Sequence, residues 1–340
     1  MRGDVAADLL GATPMDVPRF AVMRARYATR LPLLLFVAGM WLAPDRVGSA
    51  QSRQRTPDGH PDLQGLWLNN TATPLERPND VQGRAVFTDA EAKDYQSHYQ
   101  LDRTVAISRN KAFELDAAGD LDTYEPGHLL PGNRTSMITD PADGRVPALT
   151  PDAQRRVTER AEYLDTHYAD NPEDLTFAER CLIVANTSVP PLMPAFYNNT
   201  LQIVQTVDSV VFISEQIHDT RVISLRRREH LPASVRRWSG DSLGHWEGET
   251  LVVDTTNFTT NTSLRGSGPG LHIVERFSLG DVNTLTYAFT IDDPASFTRT
   301  WTASSQMTRT EDRMFEFACH EANYSMGYIL SGARFSETHR

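Results

Sequence analysis

From residue 200 almost to the C-terminus, apolar and β-branched residues alternate with polar ones in short runs broken by turn residues, the period-two pattern of half-buried strands. The runs predict strands near 201–207, 209–215, 220–226, 242–246, 250–256, 271–278, 283–291, 298–307 and 313–320. Val207-Asp208-Ser209, Glu247-Gly248-Glu249 and Gly280-Asp281-Val282-Asn283 supply tight reversals between them. Neighbours joined so closely must run antiparallel, because a parallel pair needs a crossover of about a dozen residues or more. The predicted fold is therefore mainly β, an antiparallel meander over 200–335 that closes into a barrel or folds into a sandwich, so that its edges are paired or protected. Alternation also assigns faces: Leu285, Tyr287, Phe289 and Ile291 share one face, and Phe315, Phe317 and Cys319 share another.

Residues 51–199 have a different texture, rich in Pro, Asp, Asn and Arg, with short apolar pieces such as Leu63 to Leu68. They read as an extended arm with two or three helices packing on the sheet. Thr88 and Glu91 form a capping box that starts a helix reaching about Tyr99. Thr150-Pro151 supplies an N-cap and a first-turn proline for a helix to about Tyr168, with Ala153, Val157, Ala161 and Leu164 on one face. A third capping box, Thr176 to Glu179, opens a turn that carries Cys181, and the proline-rich stretch 189–199 is a loop.

The first fifty residues change the picture of where the chain works. Arg24, Arg26 and Arg30 precede an uncharged apolar run over 31–43, and Gly48-Ser49-Ala50 places small residues where a signal peptidase cuts. Residues 1–50 are thus read as a signal peptide, with Met23 as the true start and a mature chain beginning near Gln51. A run of that length is too short for a membrane span, which takes roughly 20 apolar residues, so no stable membrane insertion is expected and the location is periplasmic or secreted. Loss of residues 1–50 removes six Arg and four Asp and moves the formal charge from −11 to −13. That acidity argues against a nucleic-acid partner. In an oxidising compartment the two cysteines, Cys181 and Cys319, are expected to form a disulfide.

Candidate chemistry lies in three polar, aromatic clusters: His218-Asp219 with Arg221 and the nearby His230, the stretch 238–254, and the stretch 319–334. His320, His245, Asp254 and Glu321 are the candidate catalytic acid–base groups, and Trp246, Tyr324, Asn323, Arg334 and His218 the candidate binding residues. His245 and Trp246 point to opposite faces, and Asp254 opposes the Leu251/Val253 face. His320 could equally be a structural histidine satisfied by neighbours near the disulfide, and Glu247 and Glu249 could be solvated hairpin residues. No HxH or HExxH spacing, GxSxG elbow, P-loop, GxGxxG or CxxC is present, so neither a metal nor another cofactor is assigned.

The stretches TPDGHPDLQGLW (56–67), YNNTLQIVQT (197–206), GHWEGETLVVDTTNF (244–258), HIVERFSL (272–279) and CHEANYSM (319–326) resemble a family of secreted bacterial proteins of unassigned function. The resemblance spans most of the mature chain and implies secretion and one shared domain type, without an activity. Gly65-Leu66-Trp67 is also similar to the G-x-W entry strand of lipocalin-like barrels. Three functions stay open: an exported enzyme acting by His/carboxylate acid–base chemistry on a small molecule or carbohydrate, as a non-redox hydrolase, lyase or isomerase; a non-catalytic ligand-binding barrel; and an envelope assembly or interaction protein.

Overall fold

The computed structural model describes residues 55–81, 83–98, 127–183, 189–195, 198–260 and 264–339. The export signal and cleavage site read at 1–50 lie outside them. Ten strands appear in chain order: β1 (Gly65–Leu68), β2 (Ile138–Asp140), β3 (Thr200–Gln205), β4 (Ser209–Ser214), β5 (Thr220–Ser224), β6 (Asp241–Glu247), β7 (Thr250–Thr256), β8 (His272–Asp281), β9 (Thr284–Asp292) and β10 (Trp301–Thr310). Helices are α1 (89–98), α2 (Pro151–His167) and α3 (Ser325–Thr338). Strands β3 to β10 follow one another around the sheet, and β1 pairs with both β3 and β10, which closes a nine-strand barrel; β2 is an extra strand on β10.

The predicted alternation holds around the wall. Leu285, Tyr287, Phe289 and Ile291 are buried inside, and Thr284, Thr286, Ala288 and Thr290 face outward. Trp67, Phe212, Phe277, Tyr287, Phe289, Trp301 and Met307 fill the barrel axis. Both helix starts read from capping signals are present: Glu91 accepts from the Thr88 backbone N–H at 2.9 Å, and the Thr150 hydroxyl accepts from the Ala153 N–H at 3.2 Å. The Thr176 box forms as well, with the Glu179 carboxylate 2.8 Å from the Thr176 N–H.

Three expectations are corrected. The arm is not merely extended: Leu66 pairs with Gln202 on one side and Thr310 on the other, so β1 is the strand that closes the barrel. Trp67 is fully buried, gives its indole N–H to the Leu63 carbonyl at 2.8 Å and lies under the Arg309 guanidinium at 4.3 Å. Second, the meander is interrupted: β5 and β6 touch through one parallel pair, Ser224 with Leu243, and residues 225–240 bridge that seam. Third, 313–320 is not a strand, and Phe315 is exposed. One edge of β10 is taken by β9 and the other is shared by β2 and β1, so the alternating run after Thr310 finds no free edge. The chain instead turns through 319–324 and enters α3, an element the alternation did not announce.

The bridge is formed, Cys181 to Cys319, 138 residues apart. It is the kind of link found in oxidising compartments. Among the described residues no helix is long and apolar enough to cross a membrane.

Candidate functional site

Outward positions on β6, β7 and β8 and the loop that covers them define a polar cluster. Asp254 projects from the outer face of β7, opposite the inward Leu251, Val253 and Thr255, as its place in the alternation requires. His272 opens β8 on the same outer face, diagonal to Asp254. His230 arrives from residues 225–240, the segment that spans the β5–β6 seam. The result is a carboxylate held between two imidazoles: His230 Nε2 lies 2.7 Å from Asp254 Oδ1, and His272 Nε2 lies 2.9 Å from Asp254 Oδ2.

Each imidazole has a second carboxylate behind it. His230 Nδ1 is 3.1 Å from Asp241 Oδ2, and His272 Nδ1 is 3.9 Å from Asp292 Oδ2. Asp241 is the fixed point. Its buried side chain takes two hydrogen bonds from Arg227, at 2.7 and 3.2 Å, and one from the Leu231 N–H at 3.0 Å. Burial raises its pKa, but these donors and His230 outweigh burial and hold it down at about 2. The loop reaches this position through Gly240, whose φ of 71° is left-handed and whose missing side chain leaves room for Thr255 and the Thr256 carbonyl; a Cβ there would meet them at 2.6 and 2.7 Å.

Burial raises the Asp254 pKa, and hydrogen bonds from His272 and His230 more than reverse that, so it lies below the usual 3.8. The hydrogen bond to Asp254 lifts His272 above 6.5, against a smaller opposing effect of burial. The stabilisation from Asp254 is present above pH 3.8 and is lost as pH falls through its lowered pKa; that from His272 is complete below pH 6.5 and is lost as pH rises through its raised pKa. The clasp is therefore tightest between pH 3.8 and 6.5. Melting temperatures of the wild type and Asp254→Asn, measured against pH, should differ most inside that window and converge on both sides. A difference independent of pH would contradict the linkage.

The other candidates fall elsewhere. His245 is exposed on the outer face of β6 and contacts Glu247 at 3.1 Å, while Trp246 turns to the opposite face and stacks on His60 at 4.7 Å. His320, Glu321, Asn323 and Tyr324 are exposed in the turn after Cys319, where the Asn323 amide donates to Cys181 Sγ at 3.2 Å. Arg334, on α3, donates to the Ala169 and Asp170 carbonyls. His218 is exposed in the β4–β5 turn with φ 43°. His320 and His245 are both exposed and lie on different parts of the chain's fold. His245 belongs to the barrel wall and His320 to a segment beyond the last strand, and among the described residues no hydrogen bond joins His320 to Asp254 or to His245. Of the four catalytic candidates Asp254 is the one placed between two imidazoles, while His245 meets a single exposed carboxylate, and the Asp254 partners His230 and His272 were present in the sequence without a local spacing to join them.

No protein-family model matches the chain, and no curated protein or solved structure matches it significantly.

Proposed function

We propose that the protein is exported to the periplasm or secreted and acts on a small molecule or carbohydrate by non-redox acid–base chemistry at the His230–Asp254–His272 cluster. The observation that carries this is one carboxylate shared by two Nε2 atoms, with a buried, anchored carboxylate behind one of the rings. Asp241 fixes the His230 ring so that Nε2 meets Asp254, and Asp254, held between the two rings, is the group that takes a proton from the substrate. His230 orients Asp254 through Nε2, and His272, whose pKa the hydrogen bond to Asp254 raises, is the proton donor. Both histidines and Asp254 remain partly exposed, between 25% and 37% of their side chains, so a substrate can reach them.

The test is a turnover screen of the purified mature protein against mixed small molecules and oligosaccharides, repeated with Asp254→Asn and His272→Asn. Turnover should fall by about 10²–10⁴-fold in either variant, the usual worth of a positioned acid or base. Both variants should stay folded at the assay temperature, because the site lies on the outer wall and the barrel ladder does not depend on it. Turnover that survives both substitutions would refute the assignment. A non-catalytic ligand-binding barrel would need room on the axis, which aromatic side chains occupy. The envelope-assembly reading keeps one favourable observation: Phe315, Tyr324, Tyr328 and Phe335 are each more than 60% exposed on the C-terminal segment.

Export has its own check. The chain expressed from Met23 should be processed to a protein beginning near Gln51, and N-terminal sequencing that finds a start upstream of residue 43 would overturn the signal-peptide assignment.

A further inference from the structure

The segment 311–339 stands outside the barrel and is fastened to it at few places. The Phe315 N–H donates to Glu215 at 3.0 Å, Arg334 holds the carbonyls of Ala169 and Asp170, and the Cys181–Cys319 bridge joins the turn before α3 to the turn opened by Thr176. No residue of α3 is buried. Cys181 itself sits at φ 52°, a left-handed backbone that residues with a Cβ adopt only when their surroundings impose it.

The same turn leads to the site. Phe177 lies inside the Thr176–Glu179 box and meets Trp238 edge-on, ring centres 4.9 Å apart. Trp238 is three residues before Asp241, with the tightly seated Gly240 between them. Asp241 is the carboxylate that orients His230. A continuous path therefore runs from the bridge through Phe177 and Trp238 to the imidazole that faces Asp254.

We propose that the Cys181–Cys319 bridge is a redox control of the His230–Asp254–His272 cluster, a role that rests on the acid–base reading of that cluster. The reductant is a dithiol of the kind presented by disulfide-exchange proteins. Its thiolate attacks the sulfur of the more exposed Cys319, forming a mixed disulfide and releasing Cys181 as the thiolate, which takes up a proton. The second thiol of the reductant then displaces Cys319, which is protonated in turn. Two electrons and two protons pass to the protein, and the reductant leaves as its own disulfide. With the bridge open, Cys181 is free to leave its left-handed conformation, the turn carrying Phe177 loses its tie, and the support behind Trp238 and Asp241 loosens. His230 then loses its alignment with Asp254 while the closed barrel ladder stays intact.

The experiment follows the histidine ring resonances of the full mature protein by NMR in buffers of reduced and oxidised dithiothreitol, with His230 and His272 assigned from their Asn variants. Free thiols and trypsin cleavage within 311–339 are measured on the same samples. Opening the bridge should shift the His230 and His272 signals, leave the dispersed barrel signals in place and speed cleavage of the segment by about tenfold or more. Phe177→Leu, with the bridge closed, should shift the same two rings. Free thiols with both rings unmoved would overturn the proposal, and so would loss of the dispersed barrel spectrum on reduction, which would make the bridge a staple of the whole fold. These readouts do not depend on turnover. Failure of the acid–base assignment shows in the Asp254→Asn activity, and failure of the redox control shows in unmoved rings.

Discussion

Replacing Glu275 by Leu, with Arg221 left in place, should lower the free energy of unfolding by about 3–5 kcal/mol, because it strands a charge inside the barrel. Arg221 and Glu275 point inward from β5 and β8 and are 4% and 0% exposed. Their contacts are paired, at 2.7 and 3.1 Å, and the Tyr287 hydroxyl adds a third hydrogen bond to Glu275 at 2.9 Å. Tyr287 in turn accepts the Leu192 N–H at 2.8 Å, so the pair also locates the loop after the cis Pro190-Pro191 bond. Burial and the Glu275 charge keep the Tyr287 phenol well above its ordinary pKa, so it remains a donor. Arg221→Met should cost a similar amount. The double variant Arg221→Met/Glu275→Leu should recover most of the loss, since an apolar pair needs no charge compensation. Urea unfolding of the four proteins completes the cycle, and single variants that cost less than 1 kcal/mol, or a double as costly as the two singles together, would show that the pair is not coupled.

Removing the bridge with Cys181→Ser/Cys319→Ser should be the other large loss. A separation of 138 residues corresponds to about 5 kcal/mol in the chain-entropy model. The measured value should fall below that figure, because Cys181 is held in a left-handed conformation whose strain is released with the bridge. The melting temperature should drop by several degrees, with the melt still cooperative and the protein still folded at 25 °C, since the barrel closes through its own ladders. The oxidised wild type should show no free thiol, and full labelling of both cysteines in native, non-reduced protein would contradict the bond.

What the sequence determined by itself was local and periodic. Strands β3 to β5 and β6 to β10 lie within a few residues of where alternation and turn chemistry put them, because a side-chain period of two is a property of the strand alone. The helix starts at Thr88, Thr150 and Thr176 were legible because a cap is satisfied within four residues of itself. The outward direction of Asp254 and the inward direction of Tyr287 follow from the same parity. Pairing was beyond the pattern. Alternation tells a residue which face it is on but not what faces it, so the run at 313–320 read as a strand until closure of the barrel by β1 left β10 with no open edge. The same holds for the chemistry. Glu275 sits between Ile273 and Phe277 on an inward row, where its acceptability depends on Arg221 54 residues away, and Asp254 acquires its role from His230 and His272, 24 and 18 residues off along the chain. His230 is brought there by a covering segment that exists because β5 and β6 barely pair. Such contacts are set by how strands close around a core, and only the tertiary structure fixes which distant side chains that closure brings together.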